Sequence, residues 1–438
     1  MSATDTDVLI VGAGPAGTAA AITLAEAGYD VTIIDKATFP RDKCCGDGLT
    51  AGALRLLEQI GLQPTDVPSW VTVDAAWVRS PSGHEVRFPM PTDGIFAAVA
   101  PRRELDDALV QRARAVGVKV HEGHAFEGFV DAGTIGRADL AGGIAGGVTD
   151  ETTETDAEET DGAITVEVAG MGHVSTRFVI AADGMWSPVR KALGLSEPGY
   201  LGEWHAFRQY FSNVTGPASE RLFVWFEEDL LPGYAWSFPL PGGRANVGFG
   251  IARQHGMSAQ SMKTTWPDLL QRPHVRAALG PDAVGEARHL AWPIPARVDK
   301  APLSAGRVLI VGDAACVTDP MTGEGIGQAL LTGVLAAEAI ISTSHNRPAD
   351  VRTTYESSVR RHLLADHRMS VTLSALLRRP LLARGAIKVA GTTGWTRRNF
   401  GRWLFEDEPR AIVLTPRRWH RKFLARPGAY STDTSRPD

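Results

Sequence analysis

Cysteine is scarce in this chain: 438 residues carry only Cys44, Cys45 and Cys316. Three thiols cannot form a disulfide framework for a chain of this length, which predicts a reducing, cytoplasmic setting. Cys44 and Cys45 are adjacent, with no CxxC partner or paired histidines, so no metal site is expected. No apolar run approaches the ~18 residues that a membrane-spanning helix needs. Met1 to Asp7 carries acidic and hydroxyl groups without a basic segment or a separate apolar core, which predicts that no secretory leader is encoded there. Repeats at a solenoid period are missing, as is any nucleic-acid recognition motif. What remains is an ordinary globular balance, 44% hydrophobic and 22% charged residues. At this length one core is too small, and two interlocked domains are expected.

The net charge of −5 is unevenly spread. Between Arg360 and Arg426 there are 16 Lys/Arg and 4 Asp/Glu, a local balance of +12, which leaves −17 for the rest. Trp395, Phe400, Trp403, Phe405, Trp419 and Phe423 are interleaved with these charges. Two readings stand: a docked helical tail with solvated arginines, or a patch for an anionic membrane surface or a diphosphate group.

The first 35 residues spell strand, turn, helix and strand. Asp7 to Val11 is a continuous apolar run of the kind found in buried parallel strands. Ala16 to Ala27 reads as a helix ended by Gly28, and Val31 to Asp35 as the second strand of a βαβ unit. Thr50–Gly61, Leu105–Val116 and Gly325–Ile341 read as further helices. Val118–His121, Ile164–Val168, Arg177–Ala181 and Val308–Val311 read as strands. His205 to Ile251 is β-like and rich in aromatics. Thr149 to Asp161 holds seven acidic residues and almost nothing apolar, and is expected to be a disordered surface loop.

The resulting fold is α/β: a discontinuous Rossmann-type nucleotide domain, an inserted β-rich substrate domain and a helical C-terminal tail. The nucleotide domain is expected to span 1–70, 97–190 and 290–345, with the acidic insert at about 131–163. The β-rich domain takes 71–96 and 197–289, and the tail 346–438.

Gly12-Ala-Gly14-Pro-Ala-Gly17 supplies a tight turn, a close approach for a pyrophosphate, and a packing point between helix and strand. Asp35 lies 18 residues beyond Gly17, placed to accept from a ribose hydroxyl. That much does not separate FAD from NAD. The far end does: the strand Arg307–Val311 ends in Gly312-Asp313, and Pro320-Met-Thr-Gly323-Glu-Gly325-Ile326 opens another helix. A carboxylate at a strand's carboxyl end suits a ribityl chain, and a helix N-terminus suits the flavin edge where negative charge gathers on reduction.

These stretches, with Ala182-Asp183-Gly184, resemble the three signatures of the flavin hydroxylase superfamily. Phe39-Pro-Arg-Asp-Lys43-Cys-Cys45-Gly46-Asp47-Gly48-Leu49 and Pro232-Gly-Tyr234-Ala-Trp236-Ser-Phe238-Pro239 are similar to the geranylgeranyl reductase family, which reduces isolated C=C bonds of prenyl chains. The likeness runs from about Asp7 to Ile340. It implies FAD as cofactor, NAD(P)H or a reduced ferredoxin as electron donor, and a hydrophobic small-molecule substrate. Residue by residue, it places Gly12, Gly14, Pro15, Ala16, Gly17, Asp35, Lys36, Arg41, Cys45, Gly46 and Arg102 at FAD. It adds Asp183 and Gly184 near the pyrophosphate, Gly312 and Asp313 at the ribityl chain, and Pro320, Gly323, Gly325 and Ile326 at the ring. Cys45, Tyr234 and Trp236 become the catalytic candidates. Cys45 is equally readable as a small buried hydrophobe, and the aromatics as sheet core.

Three reactions compete on such a fold. Double-bond reduction needs a hydride and a proton, hydroxylation a protected flavin hydroperoxide, and halogenation a lysine that captures hypohalous acid. Leu49 to Val118 contains no lysine. The halogenase sequence Trp-x-Trp-x-Ile-Pro is here Tyr234-Ala-Trp236-Ser-Phe238-Pro239. Halogenation is therefore disfavoured, and hydroxylation stays as the alternative to reduction.

Deleting Thr149 to Asp161 removes charge but no apolar surface, so unfolding free energy should change by less than ~1 kcal/mol. Chemical denaturation of the two chains measures the difference.

Overall fold

The computed structural model describes residues 5–130, 163–253, 259–343, 347–412, 415, 419 and 426–431. The acidic stretch Thr149–Asp161 and Phe423 lie outside the described residues.

The nucleotide domain is built on an eight-stranded sheet. Its central path runs Ser304–Ala305, Val308–Ile310, Gly172–Ala181, Thr6–Val11, Val31–Asp35, Lys119–Glu122. The four pairings from Val308–Ile310 to Lys119–Glu122 are parallel. Val8, Leu9, Ile10, Val179, Ile180, Val308 and Leu309 are fully buried there, as expected for strands covered on both faces. Ile164–Val168 and Phe126–Phe129 form an antiparallel extension from Gly172–Ala181. Helix Pro15–Glu26 follows the first strand and packs against helix Ile326–Ser342 from the far end of the chain.

A second eight-stranded sheet carries Trp204–Ser212, Leu222–Trp225, Tyr234–Leu240 and Arg244–Ala252. Ala75–Arg79 and Glu85–Pro89, from early in the chain, complete one edge. Leu290–Ile294 pairs antiparallel with Trp204–Ser212, so it belongs to this sheet. The boundary expected at 290 therefore moves past Ile294: the segment has an edge strand to hydrogen-bond with and no partner in the nucleotide sheet. Gly48–Thr50, Val71–Thr72 and Ala97–Val99 form a small third sheet.

After Ile326–Ser342 the chain is helical: Pro348–Val359, a π-helical turn at Arg360–Leu364, then Ala365–Leu377, Pro380–Ala390 and Gly394–Leu404. Ile387, Ala390 and Phe405 join a core with Phe88, Val86 and Leu240 of the β-rich domain. The tail is thus packed on the body through one face. None of the described helices is long and apolar enough to cross a membrane.

Candidate active site

Two glycines of the first turn are required by contacts that no side chain could tolerate. Gly12 has a φ of 107°, and a Cβ there would meet the Ala182 carbonyl oxygen at 2.4 Å. A Cβ on Gly17 would lie 1.9 Å from the Gly12 carbonyl oxygen. Strand, turn and helix can close only without those side chains. The Ala13 and Ala37 N–H groups donate to Asp35 at 2.8 Å each, fixing its carboxylate at the end of the second strand.

These elements open onto one cavity of about 1030 Å³. Gly12, Gly14, Pro15, Ala16, Asp35, Lys36, Arg41, Cys45, Gly46 and Arg102 line it. So do Asp183, Gly184, Gly312, Asp313, Gly323, Gly325 and Ile326. Gly17 and Pro320 do not. Gly17 is spent on helix–strand packing, and Pro320 lies behind the wall, its carbonyl accepting from Ser374 Oγ at 3.1 Å. Cys44 also lines the cavity, and burial pushes its thiol up to about 12. Burial raises the Cys45 thiol as well, with the Asp47 charge adding to it, so both sulfurs stay protonated at neutral pH.

Several charged groups around the cavity are paired in ways the sequence reading did not anticipate. Asp106, fully buried, takes two hydrogen bonds from Arg102 at 2.7 Å and an ion pair from Arg41 at 2.9 Å. Burial opposes the Arg102 charge, but Asp106 outweighs it and its pKa rises. Lys43 Nζ donates to Asp313 at 2.8 Å. Burial would raise the Asp313 carboxyl, yet Lys43 and Arg102 bring it below the usual carboxylate range. Asp183 accepts from the Val189 N–H at 2.9 Å through one oxygen, while its buried Oδ1 has no hydrogen-bond partner.

Asp47 is the node that joins the two domains. It is fully buried and non-glycine at a φ of 64°. It accepts from Tyr210 Oη at 2.6 Å, Asn246 Nδ2 at 2.7 Å and the Arg102 N–H at 3.2 Å. Asn246 also donates to the Cys45 carbonyl at 2.9 Å and accepts from Trp236 Nε1 at 3.1 Å. Arg208 donates to the Cys45 and Lys43 carbonyls at 3.2 and 3.0 Å. The Cys44-Cys45 loop is therefore held by side chains from the inserted sheet. Burial pushes Asp47 up to about 6, against the pull of Arg208, Tyr210 and Asn246.

Tyr234, Trp236 and Phe238 stand on one face of their strand and line the cavity. A Cβ on Gly48 would meet Phe238 at 2.9 Å, and one on Gly248 would meet Trp236 at 2.3 Å, so glycines clear the space for both rings. Tyr234 Oη donates to the Thr322 carbonyl, tying the aromatic wall to the turn before Ile326–Ser342. On that turn Glu324 lines the cavity. Burial first, and the nearby Glu406 charge second, raise its pKa.

Much of the tail is docked on the body. Phe400 packs on Phe88 at 4.7 Å between ring centroids and lines the cavity together with Trp403 and Phe405. Arg402 pairs with Asp407, and Arg410 with Glu406 at 2.8 Å and Asp319 at 3.3 Å. These groups are docked inward and are lost to any membrane anchor. Trp395 and Trp419 remain exposed.

Asp47, Lys43 and Glu324 lie inside the quoted motifs without having been singled out, and Asp106 lies in none of them. Arg208, Tyr210 and Asn246 sit on ordinary-looking strands that carry no local signal.

The residues present fit FAD: two glycine-bounded helix N-termini, a ribose-side carboxylate, an unpartnered buried oxygen on Asp183, and an ionised Asp313. The chain belongs to the FAD binding domain family, which matches residues 5–365. Within it the chain is a member of the geranylgeranyl reductase group. It is 31% identical over 363 residues to a menaquinone reductase of Mycobacterium tuberculosis, covering 77% of this chain and 76% of that one. It is also 31% identical over 343 residues to digeranylgeranylglycerophospholipid reductase 1 of Methanopyrus kandleri, covering 76% and 80%. The fold superposes on a geranylgeranyl bacteriochlorophyll reductase-like protein of Thermoplasma acidophilum with a TM-score of 0.72 and 20% identity, over 94% of this chain and 98% of that chain.

Asp313→Ala removes an ionised acceptor and should weaken FAD retention by ~10-fold or more. Titration of the apoprotein with FAD by flavin fluorescence measures it. Asp47→Asn tests the node. A carboxyl raised to about 6 in the fold stabilises it below its ordinary value of 3.8 and loses that contribution as pH rises. Between about pH 4 and 6.5 the wild type should therefore lose stability relative to Asp47→Asn, by at most ~3 kcal/mol. Paired melting curves across that range give the slope.

Proposed function

We propose that this FAD-dependent oxidoreductase reduces C=C bonds in the prenyl chain of a lipid, quinone or related isoprenoid. The observation that carries this reading is the lining of the cavity. Besides the glycine turns and Cys45, it is lined by Tyr234, Trp236 and Phe238 and by the apolar Leu373, Leu377, Ile387 and Leu404 of the tail helices. A chamber of that volume and lining suits an elongated hydrocarbon. The names of the relatives, which refer to menaquinone and to digeranylgeranylglycerophospholipid, support the same substrate class.

FAD, when bound and reduced, supplies the hydride. The protein's own groups do the rest. Gly12, Gly14 and Asp35 hold the dinucleotide end, while Asp313 and Arg102 hold the ribityl side. Trp236 and Phe238 press the chain flat and keep water out. A second hydrogen must arrive as a proton. Two groups on the cavity wall hold one at neutral pH: the Cys45 thiol, and the Glu324 carboxyl, whose Oε1 is occupied by the Gly327 N–H at 2.6 Å. The sequence holds one dinucleotide fingerprint, so electrons come from outside, from NAD(P)H or a reduced ferredoxin that visits the flavin. Peripheral contact with an anionic membrane completes the reading, because the substrate resides in lipid.

The test is anaerobic. With the flavin photoreduced, addition of a prenyl diphosphate or a prenyl quinone should reoxidise it and add two hydrogens to the chain, located by fragment mass spectrometry. An oxygen-dependent gain of one oxygen atom would instead identify a monooxygenase.

A further inference from the structure

From His367 to Phe405 the sequence contains no carboxylate at all, against eight Lys/Arg. Those residues form helices Ala365–Leu377, Pro380–Ala390 and Gly394–Leu404. One of the eight, Arg402, is buried in its pair with Asp407, and Arg384 pairs with Glu228 at 2.9 Å. Arg368, Arg378, Arg379, Lys388, Arg397 and Arg398 lie on the surface.

The same short stretch exposes apolar side chains out of proportion to its length. Six of the thirteen exposed large hydrophobic residues among those described fall between Val371 and Trp395. Leu381 is 77% exposed, Trp395 68% and Val389 66%. For a surface packed against water alone this clustering is unfavourable. Leu376 and Leu382 tie the patch to the cavity: both line it, and both are exposed to solvent. The apolar lining of the chamber therefore reaches the outer surface at Leu376 and Leu382, on the two helices flanking Arg378 and Arg379.

From this continuity we infer that the helices Ala365–Leu377 and Pro380–Ala390 form the docking mouth of the enzyme, which seats on an anionic lipid bilayer. The prenyl chain passes from the acyl layer between Leu376 and Leu382 into the cavity. Leu381 and Val389 enter the acyl boundary, Trp395 sits at the headgroup level, and the surrounding arginines and Lys388 meet lipid phosphates. A surface excess of positive charge around an apolar tip matches an anionic bilayer on both counts, charge outside and hydrocarbon inside. This inference rests on the isoprenoid reading for what passes through the mouth, but the docking itself is independent of it.

The FAD-loaded full chain should float with phosphatidylcholine vesicles containing phosphatidylglycerol at low salt, and bind pure phosphatidylcholine vesicles much less. Binding should fade toward 1 M salt, where the Debye length falls to ~3 Å. Leu381→Asp/Val389→Asp alters only exposed positions and should reduce the vesicle-bound fraction by about tenfold. The same variant should reduce a short, water-soluble prenyl diphosphate in vesicle-free buffer as fast as wild type. Absent binding to the anionic vesicles, or equal binding by the variant, overturns the docking mouth. So does a fall in molecular mass of the variant in vesicle-free buffer, which would make this face a contact between copies. If the vesicles bind as expected while the soluble prenyl compound is never reduced, the docking surface stands and the isoprenoid reading falls.

Discussion

One close approach in the nucleotide domain joins two helices that are about 300 residues apart in sequence. A Cβ on Gly333 would lie 2.1 Å from the Ala16 carbonyl oxygen. Helix Ile326–Ser342 can reach helix Pro15–Glu26 only because that side chain is missing. Everything downstream depends on this contact. It brings the turn Gly323–Gly325 beside the turn Gly12–Gly17, so that two helix N-termini face one cavity. It also closes the domain around the inserted sheet, which must then fit between segments already fixed at both ends. The alanine-rich surface of Pro15–Glu26 serves the same end, since Ala16, Ala19, Ala20 and Ala21 keep the helices close while burying little volume.

Around the cavity the fold keeps charged groups buried by giving each one several partners. Asp106 holds two arginines, Lys43 holds Asp313, and Asp47 gathers a tyrosine, an asparagine and a backbone N–H. Isolated, each of these charges would cost several kcal/mol to bury. Paired, they leave the polar ends of a dinucleotide a wall of fixed charge. The aromatic wall adjoins this network, and Trp236 is tied to it through Asn246. The cavity thus combines fixed charge beside the dinucleotide turns with aromatic and aliphatic lining from the inserted sheet and the tail, and the Cys44-Cys45 loop lines it as well. Arg208 and Asn246 hold that loop from the inserted sheet, which makes the position of the thiols a property of the domain contact.

The tail shows how one composition can serve two ends. Helix Gly394–Leu404 turns Phe400, Trp403 and Leu404 inward, and the following turn anchors itself through Arg402, Asp407 and Arg410. Phe405 then reaches the body through the Ala51 N–H, which donates to its carbonyl at 2.8 Å. The helices before it carry their apolar groups on both faces. Count and sign of charge were visible along the chain, but the same arginine can pair with an internal carboxylate or point to solvent. Arg402 and Arg397, five residues apart, do one each.

What the sequence by itself determined is short-ranged. The turns at Gly12 and Gly312, the alternation of buried strand and helix, the discontinuous α/β plan and the family resemblance all follow from neighbours within a few tens of residues, where backbone sterics and hydrophobic period leave few choices. What only the tertiary structure decided is which group meets which across long separations. Asp47 is bound to Asn246, Lys43 to Asp313, and Leu290–Ile294 joins the inserted sheet, because pairing free energy depends on distance in space and carries no local periodicity. Side-chain direction belongs to the same class. A strand's period of two says that Tyr234, Trp236 and Phe238 share a face, yet only the packing of a second domain decides that this face looks into the cavity.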